Sequence, residues 1–129
     1  MCKVNAVDLI EWYLDDRDDM HKIKIFISGP YSLGDIAVNV KKAMDISNEL
    51  MNHGFAPYCP HLTHYLHINN PQPYEKWLEL DLEYLKVCDG LLRLPGKSSG
   101  ADNEVEFARK YKIPVFYSFK DLSKFNFKK

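Results

Sequence analysis

Apolar residues recur along this chain in two alternating rhythms. Short β-branched or aromatic runs at residues 23–28, 55–59, 90–94 and 113–118 read as buried strands. Between them the apolar positions take helical spacing. Ile36, Val40, Ala43, Ile46, Ser47, Leu50 and Met51 mark one helix, with Asp35 as its N-cap and Gly54 just past its end. Residues 74–88 and 101–112 predict two more helices, and residues 121–127 a short last one. Strands alternating with helices predict an α/β fold, a mostly parallel sheet of four to five strands covered on both faces. Ligands in such folds sit at the carboxyl ends of the strands. Three segments should meet there: residues 28–35, the His- and Pro-rich connection 60–73, and residues 94–104.

Two carboxylates break the pattern. At about 100° per residue, Trp77, Leu78, Tyr84, Leu85 and Cys88 fall within roughly 60° of Asp81. Glu75, Lys76, Glu79, Glu83 and Lys86 lie at least about 120° away. Asp81 therefore stands alone on the apolar face of its helix. Glu104 repeats this oddity, with Ala101, Phe107, Ala108 and Tyr111 around it and Glu106 nearly opposite. A buried, unpaired carboxylate costs several kcal/mol, so such groups are paired, hydrogen-bonded, protonated or lining a cavity. Two of them on neighbouring helices point to glycosidic chemistry, with one as nucleophile or electrostatic stabiliser and the other as general acid. The alternative is structural: each accepts loop N–H groups or pairs with a cation such as Arg93.

The loops offer ligand-binding groups. Ser98-Ser99-Gly100 precedes the Glu104 helix and presents hydroxyls and backbone N–H groups to an anion, or simply caps the helix. The turn Ser28-Gly29-Pro30-Tyr31 is a second such ledge. Tyr31, Tyr58, Tyr65 and Trp77 are available to stack on a flat ligand. His61, His64 and His67 are spaced at three. On a helix they span about 240°, so they cannot all face one metal, and they read as loop or pocket-lining residues.

Composition narrows the partners. At 129 residues the chain is one domain with room for a core, and a net charge of -1 gives no electrostatic case for nucleic acid. Three cysteines, two of them in apolar surroundings, fit a reducing cytoplasm better than a disulfide framework. No segment approaches a membrane span and the N-terminus has no signal-peptide pattern. Residues 1–22 read as an appendage. Val4, Val7, Ile10, Trp12 and Leu14 form a short amphipathic helix, and Asp15, Asp16, Arg17, Asp18 and Asp19 an acidic connector to the domain at 23–129. Lys124, Phe125, Phe127, Lys128 and Lys129 read as a solvated tail.

Three pieces occur in order: Lys24-Ile25-Phe26-Ile27-Ser28-Gly29-Pro30-Tyr31, then Glu79-Leu80-Asp81-Leu82-Glu83-Tyr84-Leu85-Lys86-Val87-Cys88-Asp89, then Ser98-Ser99-Gly100-Ala101-Asp102-Asn103-Glu104. Together, over roughly residues 23–118, they resemble the nucleoside 2-deoxyribosyltransferase superfamily, above all its small members. The resemblance implies a flavodoxin-like three-layer sandwich and cleavage of the N-glycosidic bond of a deoxynucleoside or a nucleoside 5′-monophosphate. It implies Glu104 as nucleophile and Asp81 as the residue that helps protonate the base. Ser28, Gly29, Tyr31, Ser98, Ser99 and Gly100 would hold sugar or 5′-phosphate, with Trp77 beside the base. Where transferases of this kind carry a glycine two residues after the nucleophile, this chain has Glu106.

The expected partner is thus a nucleoside or nucleotide, with no metal or other cofactor, no nucleic acid and no membrane. A homodimer or higher homo-oligomer is expected, with Asp8, Glu11 and Trp12 of the appendage available for its contacts. Two other readings use the same residues: a non-catalytic nucleotide-binding or regulatory module, and an interaction protein whose two carboxylates are paired internally.

Overall fold

Ile25, Phe26 and Ile27 are wholly buried, because β1 (Lys24–Ser28) is an inner strand with helices on both faces. The computed structural model describes residues 5–15 and 21–127. The other strands are β2 (Ala56–Tyr58), β3 (Gly90–Arg93) and β4 (Val115–Phe116). Among the described residues these four form one all-parallel sheet in the order β2-β1-β3-β4. This is the flavodoxin-like order without its fifth strand, and its switch point lies between β1 and β3. There Ser28 pairs with Arg93 in register, so the loops that follow the two strands start side by side at the sheet edge.

The helices are α1 (Ala6–Leu14), α2 (Ile36–Asn52), α3 (His64–Asn69), α4 (Tyr74–Leu85), α5 (Ser99–Lys110) and α6 (Phe119–Lys124). Alternate strand residues serve opposite faces. Ile25 and Ile27 meet Ala43 and Leu50 of α2 and Leu122 of α6. Phe26 and Leu91 meet Leu85 of α4 and Ala108 of α5 on the other side. Each large apolar side chain so buried contributes roughly 1.5–3 kcal/mol over its exposed state. The helix ends follow local chemistry. Asp35 caps α2 by accepting from the N–H groups of Ala37 (2.9 Å) and Val38 (3.3 Å), and Gly54 follows it at φ +87°.

Some boundaries differ from the sequence reading. The fourth strand, expected over residues 113–118, shortens to Val115–Phe116. Ser118 instead caps α6 by accepting from the Asp121 N–H. The expected helix at 74–88 ends at Leu85, and α5 starts two residues early, at Ser99. The connection 60–73 contains a 3-10 turn, Pro60–Thr63, followed by α3. The tail is not simply solvated. The rings of Phe125 and Phe127 pack on Phe116, with centroids 5.1 and 5.9 Å away. The appendage helix forms with Asn5 as N-cap, but none of these nine residues is buried. Val4, residues 16–19 of the acidic connector, and Lys128 and Lys129 lie outside the described residues. No described helix is long and apolar enough to cross a membrane.

Candidate active site

The three segments expected at the sheet edge enclose one cavity of about 700 Å³. Gly29 and Tyr31 line it from the β1 loop, Trp77, Leu78 and Asp81 from α4, and Ser98, Ser99, Gly100 and Glu104 from the start of α5. The connection 60–73 supplies the remaining wall, including His61, His64, His67 and Gln72. A second, more open depression of about 750 Å³, lined by Arg93, Arg109 and Tyr117 among others, contains neither interior carboxylate.

Glu104 is 7 % exposed. Its Oε1 accepts a 2.7 Å hydrogen bond from Ser28 Oγ, and Ser28 is itself fully buried at the end of β1. Ser28 thus lies beneath the cavity, holding Glu104, while the other proposed binding residues line the cavity itself. Asp81 is half-buried, and its carboxyl is in hydrogen-bonding contact with that of Glu104. Burial pushes Glu104 up to about 8. The adjoining Asp81 charge adds to the rise, while the Ser28 hydroxyl and the Arg93 charge oppose it. Burial likewise pushes Asp81 up to about 6, partly offset by its hydrogen bond with Glu104. Two carboxyls this close and this dry hold one proton between them near neutrality, and they titrate as a pair.

Arg93 does not pair with either interior carboxylate. Its guanidinium donates to the carbonyl oxygens of Leu94 and Gly96 and pairs with Asp102 at 3.2 Å. It thereby stiffens the β3 loop. Gly29 and Gly96 let the two sheet-edge loops close on each other. A Cβ on Gly29 would stand 2.9 Å from Leu94 Cβ, and one on Gly96 would stand 2.7 Å from Pro30 Cγ.

Ser98 is the N-cap of α5, its Oγ accepting from the Ala101 N–H at 3.1 Å. The amides of Ser99 and Gly100 occupy the first turn, where N–H groups have no partner within the helix. Tyr74 covers this turn: its hydroxyl accepts from Asn103 Nδ2 and would lie 3.3 Å from a Cβ on Gly100. Its place at the first residue of α4, after Pro73, gave the sequence reading no reason to select it.

Each histidine of the spaced trio has its own partner. His61 Nε2 bonds the Pro30 carbonyl oxygen at 3.0 Å, His64 Nδ1 bonds the Tyr31 hydroxyl, and His67 Nδ1 accepts from Trp77 Nε1 at 2.8 Å. Of the four aromatic residues considered for stacking, Tyr31 and Trp77 line the cavity. Tyr58 is instead stacked between Phe26 and Tyr84, and Tyr65 is 64 % exposed.

The chain is a flavodoxin-like α/β domain with paired carboxyls in its switch-point crevice. The chain belongs to the family of the domain of unknown function DUF7768, whose model matches residues 23–118. The fold is similar to that of a 2-deoxyribosyltransferase from the psychrotolerant bacterium Bacillus psychrosaccharolyticus, a biocatalyst for the synthesis of antiviral and antitumoral nucleosides. The TM-score is 0.59 at 16% identity, over 81% of this chain and 93% of that one. At this identity the likeness is one of fold. No curated protein matched the sequence.

Proposed function

We propose that the cavity cleaves the N-glycosidic bond of a (deoxy)nucleoside or nucleoside 5′-monophosphate, by hydrolysis or base exchange. The observation that carries this reading is the coupled pair Asp81 and Glu104, both lining a cavity large enough for one nucleoside. The fold shared with a 2-deoxyribosyltransferase supports the same class of chemistry.

The single proton of the pair gives the mechanism its order. Glu104 holds it more tightly in the free site and must lose it to act as nucleophile. Glu104 passes that proton to Asp81, which relays it to the leaving base as the bond from C1′ to the base nitrogen breaks, the bond's electrons going to that nitrogen. The Glu104 carboxylate so formed bonds C1′ or stabilises the oxocarbenium-like transition state. Water, or a second base, then attacks C1′, releases Glu104 and returns a proton to the pair. Tyr31 and the first-turn amides of α5 face the sugar side. Homo-oligomerisation, expected from the resemblance, belongs to this proposal and is read from the mass in solution.

The test is incubation with a panel of nucleosides and 5′-monophosphates, with chromatography of free base. Base release that Glu104→Gln abolishes is the expected result. Full turnover in Glu104→Gln would falsify the assignment. Ligand-induced stabilisation without any base release would identify the binding-module reading instead.

A further inference from the structure

The cavity wall formed by residues 60–73 is amphipathic the wrong way round. Its polar residues Thr63, His64 and His67 line the cavity. Its apolar residues stand outside: Leu62, Tyr65, Leu66 and Ile68 are between 50 % and 64 % exposed and do not line the cavity. An amphipathic helix of a lone domain turns its apolar side to the core instead. Three hydrogen bonds, joining His61 to the Pro30 carbonyl oxygen, His64 to the Tyr31 hydroxyl and His67 to Trp77, keep the segment this way round. Asn69, Asn70 and Pro71 continue the exposed surface. The same stretch is free of formal charge. No Asp, Glu, Lys or Arg occurs from Leu50 to Tyr74, although 27 % of the chain is charged.

Area and charge together select the occupant of this face. Large side chains of this kind present about 150–250 Å² when fully open to water, so the four leave roughly 450 Å² exposed per copy. Two copies face to face would remove roughly 900 Å² from these four alone, close to the ~1,000 Å² of a specific contact, and residues 69–71 extend it. A membrane surface would be met by Lys or Arg beside the apolar residues. A partner chosen by charge would need charges to read. A second copy needs neither. A two-fold contact lays one patch on itself, and an uncharged patch does so without like-charge repulsion. Homodimer interfaces are likewise apolar at their centre and depleted of charge. We propose that the outer face of residues 62–70 is the contact surface of a homodimer, paired with the same face of a second copy. Each copy then covers the outer side of the other's cavity wall. The inference rests on the reading above for the homo-oligomer and adds its surface; it does not require base cleavage.

The test is sedimentation of the full chain over about 1–100 μM, with urea denaturation to check folding. The native protein should reach twice the 15.1 kDa chain mass, with a dissociation constant in the micromolar range. Leu66→Lys and Ile68→Lys each set like charges across the two-fold contact and should raise that constant at least about hundredfold. Leu14→Lys on α1 and Val87→Lys just past α4 alter exposed apolar positions outside the patch and should leave it unchanged. If neither α3 variant folds, hydrogen exchange of the native protein carries the test. The amides of α3 should then gain protection as concentration rises through the dissociation constant. A monomer at every concentration, a dimer indifferent to both α3 substitutions, exchange independent of concentration, or a dimer dissociated by Leu14→Lys or Val87→Lys instead overturns the inference. Base release is followed on the same samples. A dimer of this kind without release leaves this inference standing and removes the catalytic reading, whereas release from a monomer does the reverse.

Discussion

Ser28 and Glu104, 76 residues apart in the chain, meet in a 2.7 Å hydrogen bond at the sheet's switch point. The serine ends an inner strand and the glutamate lies in the second turn of α5, so the bond ties the sheet edge to the helix. It also opposes the effect of burial on Glu104 by stabilising the ionised carboxylate. Ser28→Ala should therefore act on chemistry more than on fold. Leaving the buried carboxyl without this donor costs about 1–2 kcal/mol of stability. One further unit of Glu104 pKa would slow base release by about tenfold near neutrality. Urea denaturation and base-release rates, measured on the same preparation, separate the two effects.

Stability should depend on pH through the carboxyl pair. Both groups titrate higher in the folded protein than the ordinary carboxylate range near 4. The folded state then binds more protons than the unfolded chain between about pH 4 and pH 8. Stability falls with rising pH wherever that holds. The contribution is fully present below pH ~4 and is lost as pH rises through the folded values, about 6 for Asp81 and about 8 for Glu104. Thermal melts at pH 5 and pH 8 should show the native protein less stable at the higher pH. Glu104→Gln should flatten that slope and melt higher than the native protein at pH 8. A pH slope that Glu104→Gln leaves unchanged would contradict the pairing, since the opposing contribution of buried His61, whose pKa burial lowers, is common to both proteins.

The loop closure at Gly96 gives a steric prediction. Gly96 has φ +116°, and a Cβ there would lie 2.7 Å from Pro30 Cγ. Gly34 also has positive φ, at +87°, but a Cβ there meets nothing within 4 Å. Gly34→Ala should cost only the backbone term, about 1–2 kcal/mol. Gly96→Ala should cost that plus a clash term of about 1–3 kcal/mol, because Pro30 is held by His61 and cannot swing away. Urea midpoints at equal slope make the comparison. Equal losses would show that the β1 and β3 loops are not locked together.

The fold was legible because strand and helix periodicities differ and because the inner strands carry consecutive buried apolar residues, Ile25 to Ile27 and Leu91 with Leu92. Asp81 and Glu104 were legible for a similar reason, each being a single charge on an apolar face. What could not be read was pairwise. The bond from Ser28 to Glu104 depends on strand register across the sheet. The tie between Trp77 and His67 depends on how α3 folds back over α4, which spacing does not encode. Arg93 looked like a counter-ion for the interior carboxylates, but the turn at Gly96 brings carbonyl oxygens and Asp102 within its reach. The two tail phenylalanines fill space against Phe116, and charged neighbours hid that role.

The appendage offers the last prediction. Val7, Ile10 and Leu14 of α1 are 65 %, 59 % and 78 % exposed, and no residue of that helix is buried. Ile23, by contrast, packs against the core beside α2. A chain beginning at Ile23 retains every core residue of the sheet and both helical layers. Changes that touch no buried group usually stay within about 0.5 kcal/mol. Truncation before Ile23 should therefore leave the urea midpoint and slope unchanged and should preserve base release. Light scattering before and after the cut reports whether the exposed apolar face of α1 joins two copies. A loss of stability above about 1 kcal/mol at constant mass would instead mean that α1 covers part of the domain in solution.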